Sequence, residues 1–295
     1  MAILLVLFAL ALPTAPVKDS APAYRTEIER WRADRVRRLT ADDGWLTVIA
    51  LAWLEEGDNR VGAAPSNRVV LPTGKAPAEL ATIHLSRGSA RLTVAPGVAV
   101  THDGKPVSTI ALASDANGEP TIVRHGTLSF YLIKRGDRLG VRVKDSANPA
   151  RSRFHGIESF PVREAWRIPA RFERYQPRKS IPIPNVLGGV TKEPSSGAVV
   201  FTVGGKEYRL DAVDEEGEED LFLIFADQTN GKETYGAGRF LYAPHPGADG
   251  RTVVDFNKAY NPPCAFTPFA TCPLPPPQNR LPISVEAGEK RSGDH

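Results

Sequence analysis

Between Gly44 and Phe256 the chain repeats a single pattern, in which short apolar segments alternate with turn-forming residues. Pairs such as Gly57-Asp58, Arg87-Gly88 and Asp103-Gly104 interrupt these segments at intervals of about eight to twelve residues. Such segments are too short for amphipathic helices but fit the strands of antiparallel sandwiches and barrels. The sequence therefore predicts an all-β fold, mainly an antiparallel sandwich or barrel.

The composition agrees with this fold class and narrows the choice of partners. The 295 residues include 25 glycines and 26 prolines, which suit the many turns of an all-β chain. This length accommodates one large domain or two modest ones. A formal net charge of only +3 predicts no nucleic-acid partner, because proteins that bind nucleic acids usually present strongly basic surfaces.

A short N-terminal helix is predicted before the first strand. Over residues 24–40, helical spacing places Ile28, Trp31, Val36 and Leu39 on one face. The other face is rich in arginine. We interpret that face as the solvated side of a helix packed over a sheet, and binding to a nucleic acid or an anionic membrane is the less favoured alternative.

The extreme N-terminus has the pattern of a secretory signal. Ala2 to Leu12 form an unbroken apolar run, about the length of a signal-peptide core and too short to span a bilayer. Small residues follow, and cleavage is expected after Ala15 or after Ala23. Residues 1–23 are therefore predicted to be a signal peptide or apolar N-terminal segment. We expect a secreted or periplasmic protein with no stable membrane span, and a membrane tether is the alternative.

The remaining chain is divided into two parts. Residues 24–115 are predicted to hold the helix and a β-sandwich, and residues 116–290 a β-rich C-terminal part with a Pro-rich linker, QPRKSIPIPN. The strand spacing around Gly62 resembles that of forkhead-associated domains, which are sandwiches that bind phosphothreonine. Ala63 follows Gly62, and the stretch APAELATI lacks the Ser and His of that family's binding site. The resemblance therefore implies the fold but not phosphopeptide binding.

Familiar catalytic and metal-binding motifs are absent from the sequence. There is no Gly-x-Ser-x-Gly elbow, phosphate-binding loop, dinucleotide fingerprint or His-Glu-x-x-His pair, and the six histidines are scattered singly. The acidic run Asp214–Asp220 lacks the spaced Asp pattern of a calcium loop, so a solvated hairpin tip is the favoured interpretation. The sequence predicts no metal site and no cofactor.

Polar residues around the last predicted strand form the candidate site. Seven of them are expected to share one small-ligand site: Tyr235, Arg239, Asp255, Asn257, Tyr260, Asn279 and Glu286. Asp255 or Glu286 would act as general acid or base, and the other five would bind the ligand. In the structural alternative, Asp and Asn residues cap turns and Arg239 pairs with Asp255.

The segment 257–282 is rich in proline and contains both cysteines, Cys264 and Cys272. In an exported protein this pair predicts a disulfide that staples a rigid flap. Closing so short a loop would stabilise the fold by roughly 2.6 kcal/mol on the chain-entropy estimate. A cysteine nucleophile is the less favoured alternative, because no histidine lies nearby in the sequence.

Four stretches carry a resemblance to a known family: DGWLTVIALAWLEEGDNRVG, RVKDSANPARSRFHGIESFPV, FADQTNGKETYGAGRFLYAP and DFNKAYNPPCAFTPFATCPLPPPQNRLPISVEAGEK. On these motifs the chain resembles the domain of unknown function 1684 family of bacteria and fungi, from about Trp31 to Lys290. The resemblance implies that the closing segment, residues 255–290, belongs to the folded domain. It implies no activity, because the members of that family lack an assigned one.

The sequence thus predicts an exported globular protein that binds a small polar ligand. Acid–base hydrolysis is the chemistry that its carboxylates would allow, but enzyme status stays open. A non-catalytic structural or interaction module is the alternative, and the sequence does not fix the oligomeric state.

Overall fold

The computed structural model describes residues 22–215, 217 and 219–291. It confirms the all-β prediction, because antiparallel sheets dominate and one long helix, α1 (Pro22–Thr40), precedes them. Most of the predicted signal segment, residues 1–21, lies outside the described residues. Within the described residues no helix combines the length and apolar character needed to cross a membrane.

Helix α1 packs over the β-sheets, as the sequence pattern predicts, but its buried face is rotated. Ile28 and Leu39 are buried, whereas Trp31 and Val36 are only half-buried. Arg35 is buried with them, although it belongs to the face that was expected to be solvated. The arginine-rich face of α1 is therefore partly an internal surface.

Eleven strands build a first sandwich: β1 (Val48–Trp53), β2 (Gly57–Gly62), β3 (Val69–Val70), β4 (Ala81–Ser86), β5 (Ser89–Val94), β6 (Thr101–His102), β7 (Lys105–Pro106), β8 (Thr109–Leu112), β9 (Val123–His125), β10 (Leu128–Arg135) and β11 (Arg138–Asp145). They form a six-stranded sheet, β1-β11-β10-β9-β6-β7, and a five-stranded sheet, β3-β2-β4-β5-β8. Inward side chains of both sheets, such as Ile83, Leu92 and Phe130, share one core.

The first sandwich continues to Asp145, so the predicted boundary between residues 115 and 116 is wrong. Strand β1 pairs with β11, and β9 to β11 complete the sheet that β1 begins. Val123 and Val141 pack in the same core as Leu80. The physical reason is that the core needs apolar residues from both sheets, and half of one sheet comes from residues beyond 115.

After the short helix α2 (Pro149–Arg153), six strands build the C-terminal part: β12 (Arg167–Pro184), β13 (Val190–Val203), β14 (Lys206–Asp211), β15 (Leu221–Phe225), β16 (Arg239–Ala243) and β17 (Arg251–Asp255). They form a four-stranded sheet, β14-β13-β12-β17, and a two-stranded sheet, β15-β16. Phe256 lies between the sheets and meets the rings of Phe201 and Phe225 at 5.5 and 5.3 Å. Burial of one such ring contributes about 1.5–3 kcal/mol, so Phe256 fixes the end of β17 to the core.

The predicted Pro-rich linker is instead the second half of β12. Residues 179–184 pair with β13 alone, whereas residues 167–171 pair with β17, and Ala170 and Arg171 pair with β13 as well. This half of β12 therefore lies at the edge of the sheet. A proline there can face away from the neighbouring strand, so its missing N–H group removes no hydrogen bond from the sheet. Edge pairing explains why a strand tolerates Pro182 and Pro184.

The closing segment is part of the folded domain. After β17 it makes three single turns of 3₁₀ helix, at Phe256–Lys258, Pro263–Ala265 and Pro277–Asn279. Isolated bridges join Tyr260 to Phe240 and Arg280 to Ala226. Gly288 has a φ of +78°, and a Cβ atom there would lie 2.3 Å from the Ala259 carbonyl oxygen. Glycine is therefore required for the closing segment to approach the turn after β17.

Candidate functional site

A cleft of about 580 Å³ lies between α1 and the strands β12, β16 and β17. Its walls are formed by Glu27, Trp31, Arg35, Arg38, Arg167, Asp220, Tyr242, Pro244, Val253, Asp255, Lys258 and Tyr260. We call this space the α1 cleft. It contains two of the seven residues of the predicted site, Asp255 and Tyr260.

Asp255 lies at the end of β17, and its carboxylate is held by hydrogen bonds. The Tyr24 hydroxyl lies 2.7 and 2.8 Å from the two carboxylate oxygens, and the Asn257 backbone N–H donates to Oδ1 at 3.1 Å. Asp255 thereby caps the turn at Phe256–Lys258. Burial, together with the hydrogen bond to Asp255, raises the pKa of Tyr24 above its usual range, so Tyr24 stays protonated and donates to the carboxylate.

Aromatic rings form a second wall of the α1 cleft. Tyr242 and Tyr260 stack with centroids 6.3 Å apart, and Trp31 lies 6.3 Å from Tyr260. Burial raises the pKa of Tyr260. The Tyr242 hydroxyl donates to Glu215 Oε2 at 2.6 Å. Tyr260 is thus a neutral group of this wall, and the hydrogen bond to Glu215 orients Tyr242.

An ion pair fixes α1 to the closing segment behind this wall. Arg35 Nε donates to Glu289 Oε1 at 3.1 Å, and one Nη atom donates to the Asn261 carbonyl at 2.7 Å. The guanidinium lies 4.7 Å from the centroid of Tyr260. Burial raises the pKa of Glu289, and the positive charge of Arg35 opposes that rise. The pair therefore sets the distance between helix and sheet.

The rim of the α1 cleft carries both signs of charge, with Arg38, Arg167 and Lys258 beside the carboxylates Glu27, Asp220 and Asp255. Lys258 Nζ donates to Glu27 Oε1 at 2.6 Å, and this hydrogen bond lowers the pKa of Glu27. The Arg167 guanidinium lies 5.3 Å from the centroid of Tyr24. Among residues 22–215, 217 and 219–291, neither Arg38 nor Arg167 forms an ion pair with a carboxylate. Within the described part of the chain these two guanidinium groups therefore have no salt-bridge partner, although the charge of Arg167 helps to lower the pKa of Glu27.

Arg239 does not reach the α1 cleft and does not pair with Asp255. It is fully buried and pairs with Asp227 at 2.8 Å. Its guanidinium also donates to the carbonyl oxygens of Val285, at 2.9 Å, and Ala287. Arg239 therefore ties the closing segment to β16, and its contacts are structural.

The two asparagines of the predicted site are also structural. Asn257 exchanges two hydrogen bonds with the Arg163 backbone, at 3.0 and 2.9 Å. Asn279 accepts from the Asp211 N–H at 2.8 Å and donates to the carbonyls of Asp211 and Ile224. Because both side chains are buried and hydrogen-bonded to backbone groups, they hold neighbouring segments of the chain together.

Tyr235 and Glu286 lie outside the α1 cleft as well. Tyr235 lines a separate cavity of about 300 Å³, and its hydroxyl donates to the Cys264 carbonyl at 3.0 Å. Glu286 is exposed and lies 3.4 Å from an Nη atom of Arg163. The predicted seven-residue cluster is therefore not assembled in one place.

The predicted disulfide between Cys264 and Cys272 is not formed, so this prediction is wrong for the structure. Both cysteines are free thiols. The Cys264 backbone N–H donates to Cys272 Sγ at 3.2 Å, so the two residues are neighbours without a covalent bond. The flap is held instead by packing, since Cys264 and Cys272 contact the apolar cluster around Phe240.

The predicted site lacks the helix side of the α1 cleft. Trp31, Arg35 and Arg38 recur at spacings of four and three, which places them on one helical face. This spacing is visible in the sequence, but the solvated-face interpretation does not extend to Arg35, which is buried. Tyr242 and Arg167 gave no such signal, because only the sheet geometry brings them beside α1.

Comparison with known proteins bears on the C-terminal part. Residues 152–290 match the family described as "Protein of unknown function (DUF1684)". This stretch therefore resembles DUF1684 proteins. The match confirms the family resemblance over that range, and the predicted extension back to Trp31 lies beyond it. The DUF1684 region supplies Arg167, Tyr242 and Asp255 to the α1 cleft, whereas α1 lies outside it.

Among solved structures, an uncharacterised protein of Haloarcula marismortui is 28% identical, with a TM-score of 0.42, over 49% of this chain and 81% of its own. The FHA-2 domain of a Mycobacterium tuberculosis ABC transporter is 22% identical, with a TM-score of 0.24, over 30% of this chain and 77% of its own. The FHA domain of FhaA is 18% identical, with a TM-score of 0.23, over 32% of this chain and 97% of its own. No curated protein matches the sequence.

Proposed function

We propose that the protein binds a small anionic ligand in the α1 cleft. The observation that carries this proposal is the pair of rim cations, Arg38 and Arg167, which have no carboxylate partner among the described residues. An arginine at such a rim donates paired hydrogen bonds to a carboxylate or phosphate group. Lys258 adds a third positive group that Glu27 already neutralises in part.

The aromatic wall favours a ligand with an apolar or ring-bearing portion. Trp31 and Tyr260 are half-buried, so their exposed parts border the cleft beside the charged rim. Pockets that bind small molecules commonly combine such apolar walls with a few charged groups that fix orientation. An aromatic carboxylate or a phosphorylated ring compound has this chemistry.

Acid–base hydrolysis has weaker support than binding. Asp255 is the only predicted catalytic residue at the cleft, and its carboxylate already shares the single Tyr24 hydroxyl proton between its two oxygens and accepts the Asn257 N–H at Oδ1. A carboxylate that is satisfied in this way is a poor general base, because a substrate proton would have to displace an existing donor. Glu286 lies elsewhere, paired with Arg163. We therefore favour a binding protein over a hydrolase.

The test is a binding screen of the full chain against inorganic phosphate, citrate, benzoate and phenyl phosphate by isothermal titration calorimetry. At least one of these probes should bind, and Arg167→Gln should weaken that binding by roughly tenfold to a hundredfold, the loss of a hydrogen bond to a charged group. Arg171→Gln is the matched control, because Arg171 lies on the same strand but pairs with Glu207 and Glu173. Failure of every probe to bind, or equal losses in the two variants, would contradict the proposal.

We also propose that the protein is exported. The support is the apolar run from Ala2 to Leu12 and the small residues after it. These residues lie outside the described part of the chain, so the proposal rests on the sequence pattern alone.

A further inference from the structure

An apolar turn, which we call the hairpin tip, joins β12 to β13 and is exposed from Val186 to Val190. Among the described residues four large apolar side chains are exposed, and three of them lie in this turn: Val186 at 41%, Leu187 at 45% and Val190 at 63%. Two glycines complete the turn, so it carries no charged group. We propose that the hairpin tip inserts into the apolar boundary of a lipid bilayer and attaches the protein to a membrane surface.

The fold behind the hairpin tip holds it in place. Ile181 and Ile183, on the strand that leads to the tip, are buried in the apolar cluster around Phe240. The Val186 N–H donates to the Cys272 carbonyl at 3.1 Å, which attaches the turn to the closing segment. The apolar side chains of the tip are therefore presented outward on an ordered backbone, so their insertion costs little conformational entropy.

The backbone N–H groups of the turn all have acceptors inside the protein. The Asn185 N–H donates to the Gly189 carbonyl at 2.9 Å, and the Gly188 N–H donates to the Asn185 carbonyl at 3.0 Å. The side-chain Oδ1 of Asn185 accepts from the Leu187 N–H at 2.9 Å and from the Gly189 N–H at 3.2 Å. Because hydrocarbon offers no hydrogen bonds, a segment enters it at low cost only when its own donors are satisfied. The hairpin tip meets this condition from Asn185 to Gly189.

A second protein chain fits the hairpin tip less well than a bilayer does. Stable protein interfaces bury roughly 800 Å² on each partner, which is far more than three aliphatic side chains in one turn supply. Addition of a strand to the neighbouring edge of β12 is also disfavoured, because Pro182 and Pro184 have no N–H group to donate. A bilayer requires only a protruding apolar segment, and its binding strength increases with the apolar area that enters.

The charges beside the hairpin tip predict the salt dependence of this binding. Lys192 is exposed on the same face of β13 as Val190, whereas Glu193 is half-buried and lies opposite the buried Ile181. One exposed lysine gives only weak attraction to anionic lipid. Apolar burial should therefore dominate the binding, and salt should weaken it little.

Flotation of the full-length protein with lipid vesicles tests the insertion. The vesicles consist of phosphatidylcholine, alone or mixed with phosphatidylglycerol, and the wild type should float with both at low and at high salt. Leu187→Asp should lower the partition coefficient about tenfold or more, because a carboxylate must then enter the apolar boundary. Val70→Asp is the matched control, since Val70 is the fourth exposed apolar residue but lies on β3. Every variant keeps the same N-terminus, so the differences between variants report the tip.

Tryptophan fluorescence locates the hairpin tip in the bilayer. Leu187→Trp adds one indole to the four of the wild type, and lipids brominated on their acyl chains should quench it, whereas Val70→Trp should gain no quenching. The proposal is overturned if the wild type binds neither vesicle, if high salt abolishes binding, if Leu187→Asp and Val70→Asp partition alike, or if Leu187→Trp gains no quenching. Self-association in analytical ultracentrifugation that Leu187→Asp abolishes, without vesicle binding, would assign the tip to a second copy of the chain. Circular dichroism melting checks that each variant is folded.

Discussion

Replacement of Arg239 by methionine separates a structural role from a ligand-binding role. The substitution leaves Asp227 buried without its cation and removes the donors that the carbonyls of Val285 and Ala287 accept. Removal of one partner of a buried pair costs about 3–5 kcal/mol, because the other charge stays in a medium of low polarity. For the C-terminal part of the chain, this loss in the free energy of unfolding corresponds to a fall in melting temperature of roughly 6–20 °C.

Differential scanning calorimetry at neutral pH measures this fall. Arg239→Lys should lose less stability than Arg239→Met, because it keeps the charge but lacks the planar set of donors. Arg171→Met is the matched control on the surface, where Arg171 pairs with exposed carboxylates, and it should leave the melting temperature nearly unchanged. An Arg239→Met melting temperature within about 2 °C of the wild type would refute the structural interpretation of this residue.

Two further predictions concern pH and processing. Burial alone would raise the pKa of Asp145, but hydrogen bonds from Lys75, Thr127 and the Ala147 N–H lower it below its usual 3.8. Asp145 therefore stabilises the fold above about pH 4, and this contribution disappears as the pH falls through the folded-state pKa. The melting-temperature difference between wild type and Asp145→Asn should thus shrink from pH 7 to pH 3, and a constant difference would contradict the assignment. For export, intact mass should show that the protein recovered outside the cytoplasm begins after Ala15 or after Ala23, and an intact Met1 terminus would argue against a cleaved signal.

The strands of the first sandwich were predictable because alternation of side chains has a fixed period in an extended chain. In β4 the buried residues Ala81, Ile83 and Leu85 alternate with more exposed ones, a pattern visible without any tertiary information. The domain boundary was not predictable in the same way. Whether β9 to β11 join β1 depends on which sheet edge they meet, and no local signal encodes that choice.

In the candidate site, too, some features follow from the sequence and others depend on the tertiary structure. Of the predicted polar residues at and after the end of β17, Asp255 and Tyr260 line a cleft. It could not show that Arg239 faces the core, because the atoms that accept its hydrogen bonds lie near the opposite end of the closing segment, at Val285 and Ala287. Nor could it show that the cysteines remain separate thiols.

The sequence by itself determined the fold class, the helix at the start and the packing role of the closing segment, because each depends on local periodicity and backbone preference. Only the tertiary structure decided which polar side chains are buried and hold segments together, and which border a cleft. A buried guanidinium such as Arg239 and an open one such as Arg167 are the same residue type on neighbouring parts of one domain. They differ in the neighbours that the fold brings to them, and those neighbours set the free energy of each charge.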